Sequence, residues 1–183
     1  MRVPSAVQSE QELKDTLDLL YRESRAGKSF TGILELVMND QVIITAVHNI
    51  KANRGAQTPG IDRRKMDHYL QMKRERLLGL VKFHMRDYNP SPVRRVYIPK
   101  RNGKKRPLGI PTVIDRIIQE CLRIVLEPIL EARFYDHSYG FRPYRAASNA
   151  VAYATSLATA GNYVAIEGDI KGFFDHVDHH VLL

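Results

Sequence analysis

Apolar residues recur every three or four positions through the first third of the chain. Leu13, Leu17, Leu20 and Tyr21 follow the capping sequence Ser9-Glu10-Gln11-Glu12 and predict a helix over about residues 10–25, closed by Gly27. Two further helical patterns cover roughly 31–38 and 41–53, the second with Val42, Ile43, Ala46, Val47 and Ile50 on one face and Gly55 just beyond its end. Gln57-Thr58-Pro59-Gly60-Ile61-Asp62 is turn chemistry. From Arg64 to Asp87 the spacing predicts one basic helix, with Met66, Tyr69, Leu70, Leu77 and Val81 inward and Lys65, Lys73, Arg74 and Arg76 outward.

Asn89-Pro90-Ser91-Pro92 ends that regime, and the period changes from helical to alternating. Residues 93–99 and 104–110 read as two strands about Asn102-Gly103, a strong hairpin signal. Pro99, Pro107 and Pro111 lack N–H donors, so this ribbon cannot lie at the centre of a large sheet. Asp115 to Arg133 then carries Ile117, Ile118, Cys121, Leu122, Val125, Ile129 and Leu130 at helical spacing and predicts a core helix kinked at Pro128. Ser138 to Pro143 reads as a tight loop, 146–160 as an alanine-rich helix ended by Gly161, and 163–169 as a strand partly buried on both faces. The expected class is α+β: a helical N-terminal region, then an antiparallel hairpin with packed helices.

Charge sharpens this picture. The net formal charge is +8 over 183 residues, and seven of the thirteen residues from Arg94 to Arg106 are basic with no acid among them. Such bunching points to a polyanion, nucleic acid before a membrane surface, because the basic segments lack the broad apolar face of an interfacial helix. No apolar run approaches the length of a membrane span, and Met1-Arg2-Val3-Pro4-Ser5 leads into a polar stretch, so a soluble, cytoplasmic protein without membrane contact is expected. Cys121, the single cysteine, sits among apolar helix positions and reads as a buried, inert thiol. His176, His179 and His180 beside Asp175 and Asp178 have zinc-site composition, but no cysteine joins them and exposed histidines on a short helix are the better account.

The candidate chemistry sits at Glu167-Gly168-Asp169-Ile170-Lys171-Gly172-Phe173-Phe174-Asp175. A carboxylate at a strand end is held rigidly and stays open to substrate, as metal-assisted phosphoryl transfer needs, and Gly168 and Gly172 let a ligand approach the backbone. Phe174 reads either as core packing or as a surface under a bound sugar. Asp175 is expected to cap the terminal helix.

The order of Val96-Tyr97-Ile98-Pro99-Lys100, Arg106-Pro107-Leu108-Gly109-Ile110-Pro111-Thr112, Asp115-Arg116, Ser138-Tyr139-Gly140-Phe141-Arg142-Pro143 and the Asp169 segment resembles group II intron reverse transcriptases, the maturases. Asn53-Arg54-Gly55 with Thr58-Pro59-Gly60-Ile61-Asp62 is similar to the N-terminal insertion loop of that family, and the likeness covers about residues 45–183. The resemblance implies part of a right-hand polymerase: an N-terminal extension over 1–88 with a template-facing loop at 53–62, fingers over 89–161 (basic hairpin 93–110, core helix 115–133, helix 146–160), and a first palm strand and the start of a helix over 162–183.

By the same resemblance Asp169 matches a metal-binding aspartate, and Ile170 supplies a carbonyl to a second metal. Lys100 and Arg106 contact the incoming triphosphate, and Phe174 excludes a ribose 2′-hydroxyl. The implied metal is Mg²⁺ and the implied partners are template or intron RNA, a DNA primer and dNTP. The basic residues Arg94, Arg95, Arg101, Lys104 and Lys105 of the hairpin, with Lys73, Arg74 and Arg76, are the candidate RNA contacts.

The Tyr-x-Asp-Asp turn of that family does not occur in these 183 residues. The expectation is therefore a portion of a longer RNA-directed DNA polymerase that assists splicing, inactive as a polymerase by itself and prone to homo-oligomerise through an uncovered palm strand. Two other readings stay open: a noncatalytic RNA-binding module, and a bacterial reverse transcriptase outside introns.

Overall fold

The computed structural model describes residues 1–99 and 103–182 and opens with an irregular arm, whose Val3 N–H donates to the Thr31 carbonyl (2.9 Å). The capping signal at Ser9 then starts α1 (Glu10–Arg25). Ser9 Oγ accepts from the Glu12 N–H (3.1 Å), and Glu12 Oε2 accepts from the N–H of Gln8 rather than of Ser9 (2.8 Å). Glu10 and Glu12 lie in the first turn and Arg22 and Arg25 in the last, each matching the helix dipole. Next come α2 (Ile33–Val37) and α3 (Asp40–Ala52), which Asn39 caps by accepting from the Gln41 N–H (2.8 Å). The Asn39 amide also donates to the Ser5 and Val7 carbonyls (both 2.9 Å), fastening the arm beside the start of α3.

The predicted basic helix is two helices, α4 (Met66–Leu70) and α5 (Arg74–Arg86). A continuous helix would set buried Met66 and Tyr69 about 110° around the axis from buried Val81 and Met85, at 100° per residue. The chain instead breaks at Gln71–Lys73, where Lys73 adopts ψ 144°, and both pairs reach the core. Leu70, expected inward, is exposed because it stands one residue from Tyr69 and so on a different face.

The alternating segment forms β1 (Arg94–Pro99) and β2 (Lys105–Ile110), antiparallel, with Tyr97 opposite Pro107 and Ile98 opposite Arg106. Helix α6 (Val113–Glu131) follows, capped by Thr112, and packs on α1, α2, α3 and α5. Ile117, Cys121 and Val125 are fully buried along its centre. Leu122 and Leu130, also expected inward, are exposed for the reason that applies to Leu70: each follows a buried residue by about 100°. The helix continues through Pro128. Ser24 Oγ donates to the Ile129 carbonyl (2.7 Å) and accepts from Arg133 Nε (3.1 Å), which ties α1 to this last turn.

The chain divides into two compact units, residues 1–134 and 135–183. In the second, α7 (Ala147–Thr159) matches the predicted alanine-rich helix, and Gly161 ends it at φ +95°. The strand expected at 163–169 is not formed: residues 162–170 carry neither helix nor strand, and Val164 and Ile166 are 89% and 97% exposed. A strand requires a neighbour to accept and donate its backbone hydrogen bonds, and among the described residues the sheet consists of β1 and β2 alone. A single 3₁₀ turn at Phe173–His176 follows Gly172, whose φ of +61° suits glycine. Asp175 lies within that turn rather than at the start of α8 (His179–Leu182). The residue preceding α8 is Asp178, whose Oδ1 accepts from the His180 N–H (2.8 Å). The fold is α+β, as expected.

Candidate nucleic-acid interface

Alternation sorts the hairpin into two faces. Arg94, Val96 and Ile98 share one face with Arg106, Leu108 and Ile110. The other face carries Arg95, Tyr97 and Pro99 with Lys105, Pro107 and Gly109. Both faces are largely open beyond the base of the ribbon, so the cations project from a two-sided blade. Lys100 and Arg101 lie outside the described residues.

The base of the hairpin is joined to the 53–62 loop. Arg94 Nε donates to the Pro59 carbonyl (3.0 Å), while Arg116 of α6 donates to the Gly55 carbonyl (2.9 Å) and the Thr58 carbonyl (2.7 Å). Gly60 packs so tightly that a Cβ there would stand 2.6 Å from Thr112 Cα. Burial lowers the pKa of Arg116, with Asp62 and Tyr69 opposing that shift, and the guanidinium remains a cation that organises the loop carbonyls around itself.

Asp115 performs a different task. Its Oδ2 accepts from Thr112 Oγ1 (2.6 Å), its N–H donates to the same Oγ1 (3.2 Å), and Tyr88 donates to its Oδ1 (3.3 Å). Burial and the adjacent Asp115 raise the pKa of Tyr88, so that phenol stays protonated. The clamp of Arg116 and the cap of Asp115 escaped the sequence reading, although Thr112-x-x-Asp115 has capping-box spacing.

Lys73, Arg74 and Arg76 gather at the α4–α5 corner, where His68, Gln71, Met72, Lys73 and Arg76 line an open cavity of about 360 Å³. Cys121 is buried, and burial, with Glu120 adding to it, pushes its thiol up to about 12, which rules out a nucleophilic role at neutral pH.

The second unit carries the remaining candidates. Arg142, buried, donates to the Tyr135 carbonyl (2.6 Å) and the Ser138 carbonyl (2.9 Å) and closes the Ser138–Pro143 loop. His137 stacks on Tyr153 at 3.7 Å and 6°, and Arg145 lies over the Tyr139 ring. Phe141 and Tyr144 are fully exposed at φ +57° and +58°, a backbone region that aromatic residues rarely enter. Sequence patterning gave no sign of either.

Asp169 and Ile170 lie in the irregular segment, both exposed, and Phe174 is 87% exposed with its ring edge-on to Phe173. A carboxylate beside a free-standing carbonyl suits a hard divalent cation in donor chemistry. Among the described residues, no three His, Cys, Asp or Glu side chains converge as a metal site. None of the described helices is long and apolar enough to cross a membrane.

Comparison with known proteins agrees with this geometry. Residues 98–183 match the family described as reverse transcriptase (RNA-dependent DNA polymerase). The chain is 38% identical over 177 residues to the group II intron-encoded protein LtrA of Lactococcus lactis subsp. cremoris, covering 93% of this chain and 29% of that protein. It is 38% identical over 163 residues to the protein YkfC of Escherichia coli K12, covering 82% of this chain and 41% of the relative. Nuclear intron maturase 1, mitochondrial, of Arabidopsis thaliana is 38% identical over 73 residues, or 40% of this chain and 10% of the relative. The chain thus spans under half the length of these proteins. Reverse transcriptases of this family use divalent metal. Residues 98–183 thus carry a reverse transcriptase match that includes most of the hairpin and the Asp169 segment, and the chain is homologous over nearly all of its length to a group II intron-encoded protein.

Proposed function

We propose that these residues form the template- and nucleotide-facing part of an RNA-directed DNA polymerase encoded by a group II intron, acting in the cytoplasm on intron RNA, a DNA primer and dNTP. The observation that carries the reading is the joint at Arg94 and Arg116, which makes the 53–62 loop and the cationic hairpin a single surface. A template backbone crossing the loop then meets the hairpin at a fixed offset instead of on a loose tether.

On the blade, Arg106 stands beside the apolar side chains of Ile98 and Leu108. A guanidinium fork next to an apolar surface can hold phosphate oxygens while a base packs against the hydrocarbon. Lys100, at the outer end of β1 in sequence, adds a second cation for the triphosphate. Asp169 and the Ile170 carbonyl would hold Mg²⁺, which when bound neutralises the triphosphate and lowers the pKa of the primer hydroxyl. Phe174 presents an open ring after the Gly172 turn, suited to press on a sugar and reject a 2′-hydroxyl by contact.

In the complete polymerase, Asp169→Asn is expected to abolish primer extension with RNA affinity nearly unchanged, because an amide is a poor ligand for a hard cation yet alters little surface. Lys100→Ala and Arg106→Ala should raise the KM for nucleotide more than they weaken template binding. Extension by Asp169→Asn within about threefold of the parent would reject the assignment.

A further inference from the structure

The hairpin has a second face that the proposed nucleotide site does not use. Tyr97, 61% exposed, stands on the face opposite Arg106, with Arg95 two residues away along β1 and Lys105 diagonally across on β2. Both spacings come to about 7–8 Å or slightly less. Among the described residues Tyr97 makes no ring contact or hydrogen bond, and Arg95 and Lys105 make no ion pair. Pro107 lies directly opposite Tyr97, and at the next pair Gly109 leaves space that Val93 fills, so the strip stays low around the ring. No acid occurs anywhere from Arg94 to Ile110.

An exposed aromatic between two uncommitted cations on a rigid ribbon has the composition of a platform for single-stranded nucleic acid, in which a base stacks on the ring and flanking phosphates meet the charges. We propose that Tyr97 stacks an unpaired nucleobase of single-stranded RNA whose neighbouring phosphates lie on Arg95 and Lys105. The blade then works with both sides, nucleotide on the Arg106 face and unpaired RNA on the Tyr97 face. This rests on the reading of the hairpin as an RNA-binding element. Because every base has a π face, the site discriminates strandedness and not sequence.

The test uses the 183-residue chain with a short single-stranded RNA carrying one 2-aminopurine and with a duplex RNA of equal length. Tyr97→Leu, which keeps an apolar side chain but removes the ring, should bind single-stranded RNA about tenfold more weakly and lose the fluorescence quench that stacking produces. Tyr97→Phe should retain both within about twofold, and duplex affinity should hardly change for either. Lys105→Ala should instead reduce the salt slope by about 0.7 while keeping the quench. Thermal melts of each variant report whether the hairpin-bearing unit remains folded, and Tyr97→Phe, which keeps the ring, gives the ring-dependent comparison if Tyr97→Leu does not. Unchanged quench and affinity in a folded Tyr97→Leu, with Lys105→Ala weakened, would overturn the stacking platform alone. Absence of RNA binding by the parent chain, or indifference of binding to Arg95→Ala and Lys105→Ala together, would overturn the RNA-binding reading beneath it.

Discussion

At the scale of single residues, Arg116, half-buried between Asp115 and Ile117, does more than carry a charge. Two of its N–H groups organise carbonyls from Gly55 and Thr58, which no other described side chain reaches. Arg116→Ala is expected to cost about 2 kcal/mol, since charge-assisted hydrogen bonds are lost and their acceptors stay partly covered. Hydrogen exchange should show the loss as faster exchange confined to residues 54–62, and uniform protection across that loop would contradict the clamp. Gly60 makes the same point through space: a Cβ 2.6 Å from Thr112 Cα meets backbone that cannot step aside, so Gly60→Ala should destabilise the chain by about 1–3 kcal/mol in a denaturant melt.

At the scale of elements, α6 is the axis of the first unit. Ile117 is fully buried where α6 packs against its neighbours, and Ile117→Ala should lower unfolding free energy by about 2–5 kcal/mol. Glu120, on the same helix, accepts from Asn49 of α3 (2.7 Å) and pairs with Arg123. Burial alone would raise its carboxyl, but the hydrogen bonds from Arg123 and Asn49 prevail and hold it below its ordinary value of 4.5. A depressed carboxylate stabilises the fold fully above that value and loses the contribution as pH falls through the lower native pKa. Thermal melts from pH 6 to 3 should thus fall less steeply for Glu120→Gln than for the parent.

The helices of this unit were legible because burial follows a 3.6-residue period: Ile117, Cys121 and Val125 announce themselves. The hairpin was legible for an equally local reason, the alternation about Asn102-Gly103. The break at Gln71–Lys73 was not, since it depends on where Met66 and Val81 must both point, and neither was the missing strand at 163–169, since apolar β-branched residues favour a strand only when another strand lies beside them. Of the candidate site, the charges could be read directly from the chain. The carbonyls that Arg94 and Arg116 hold are chosen by the fold, and no side-chain letter encodes them.

At the scale of the whole molecule, the second unit leaves Val164, Ile166 and Phe173 open, and α7 has no buried residue. Apolar side chains exposed in this way favour association between copies, here without any strand edge to pair. Light scattering should show mass rising with protein concentration, whereas a constant monomer mass at high concentration would contradict the idea. The 183-residue chain should bind RNA with strong salt dependence and extend no primer, because Asp169 brings one carboxylate where the chemistry needs several. Buried Cys121 bears on how such experiments can be done. Burial covers the Cys121 sulfur and pushes its thiol well above the ordinary range, so it stays protonated at neutral pH. The native protein therefore behaves as a cysteine-free background, and a fluorophore placed through Lys105→Cys would report from the blade alone as RNA arrives.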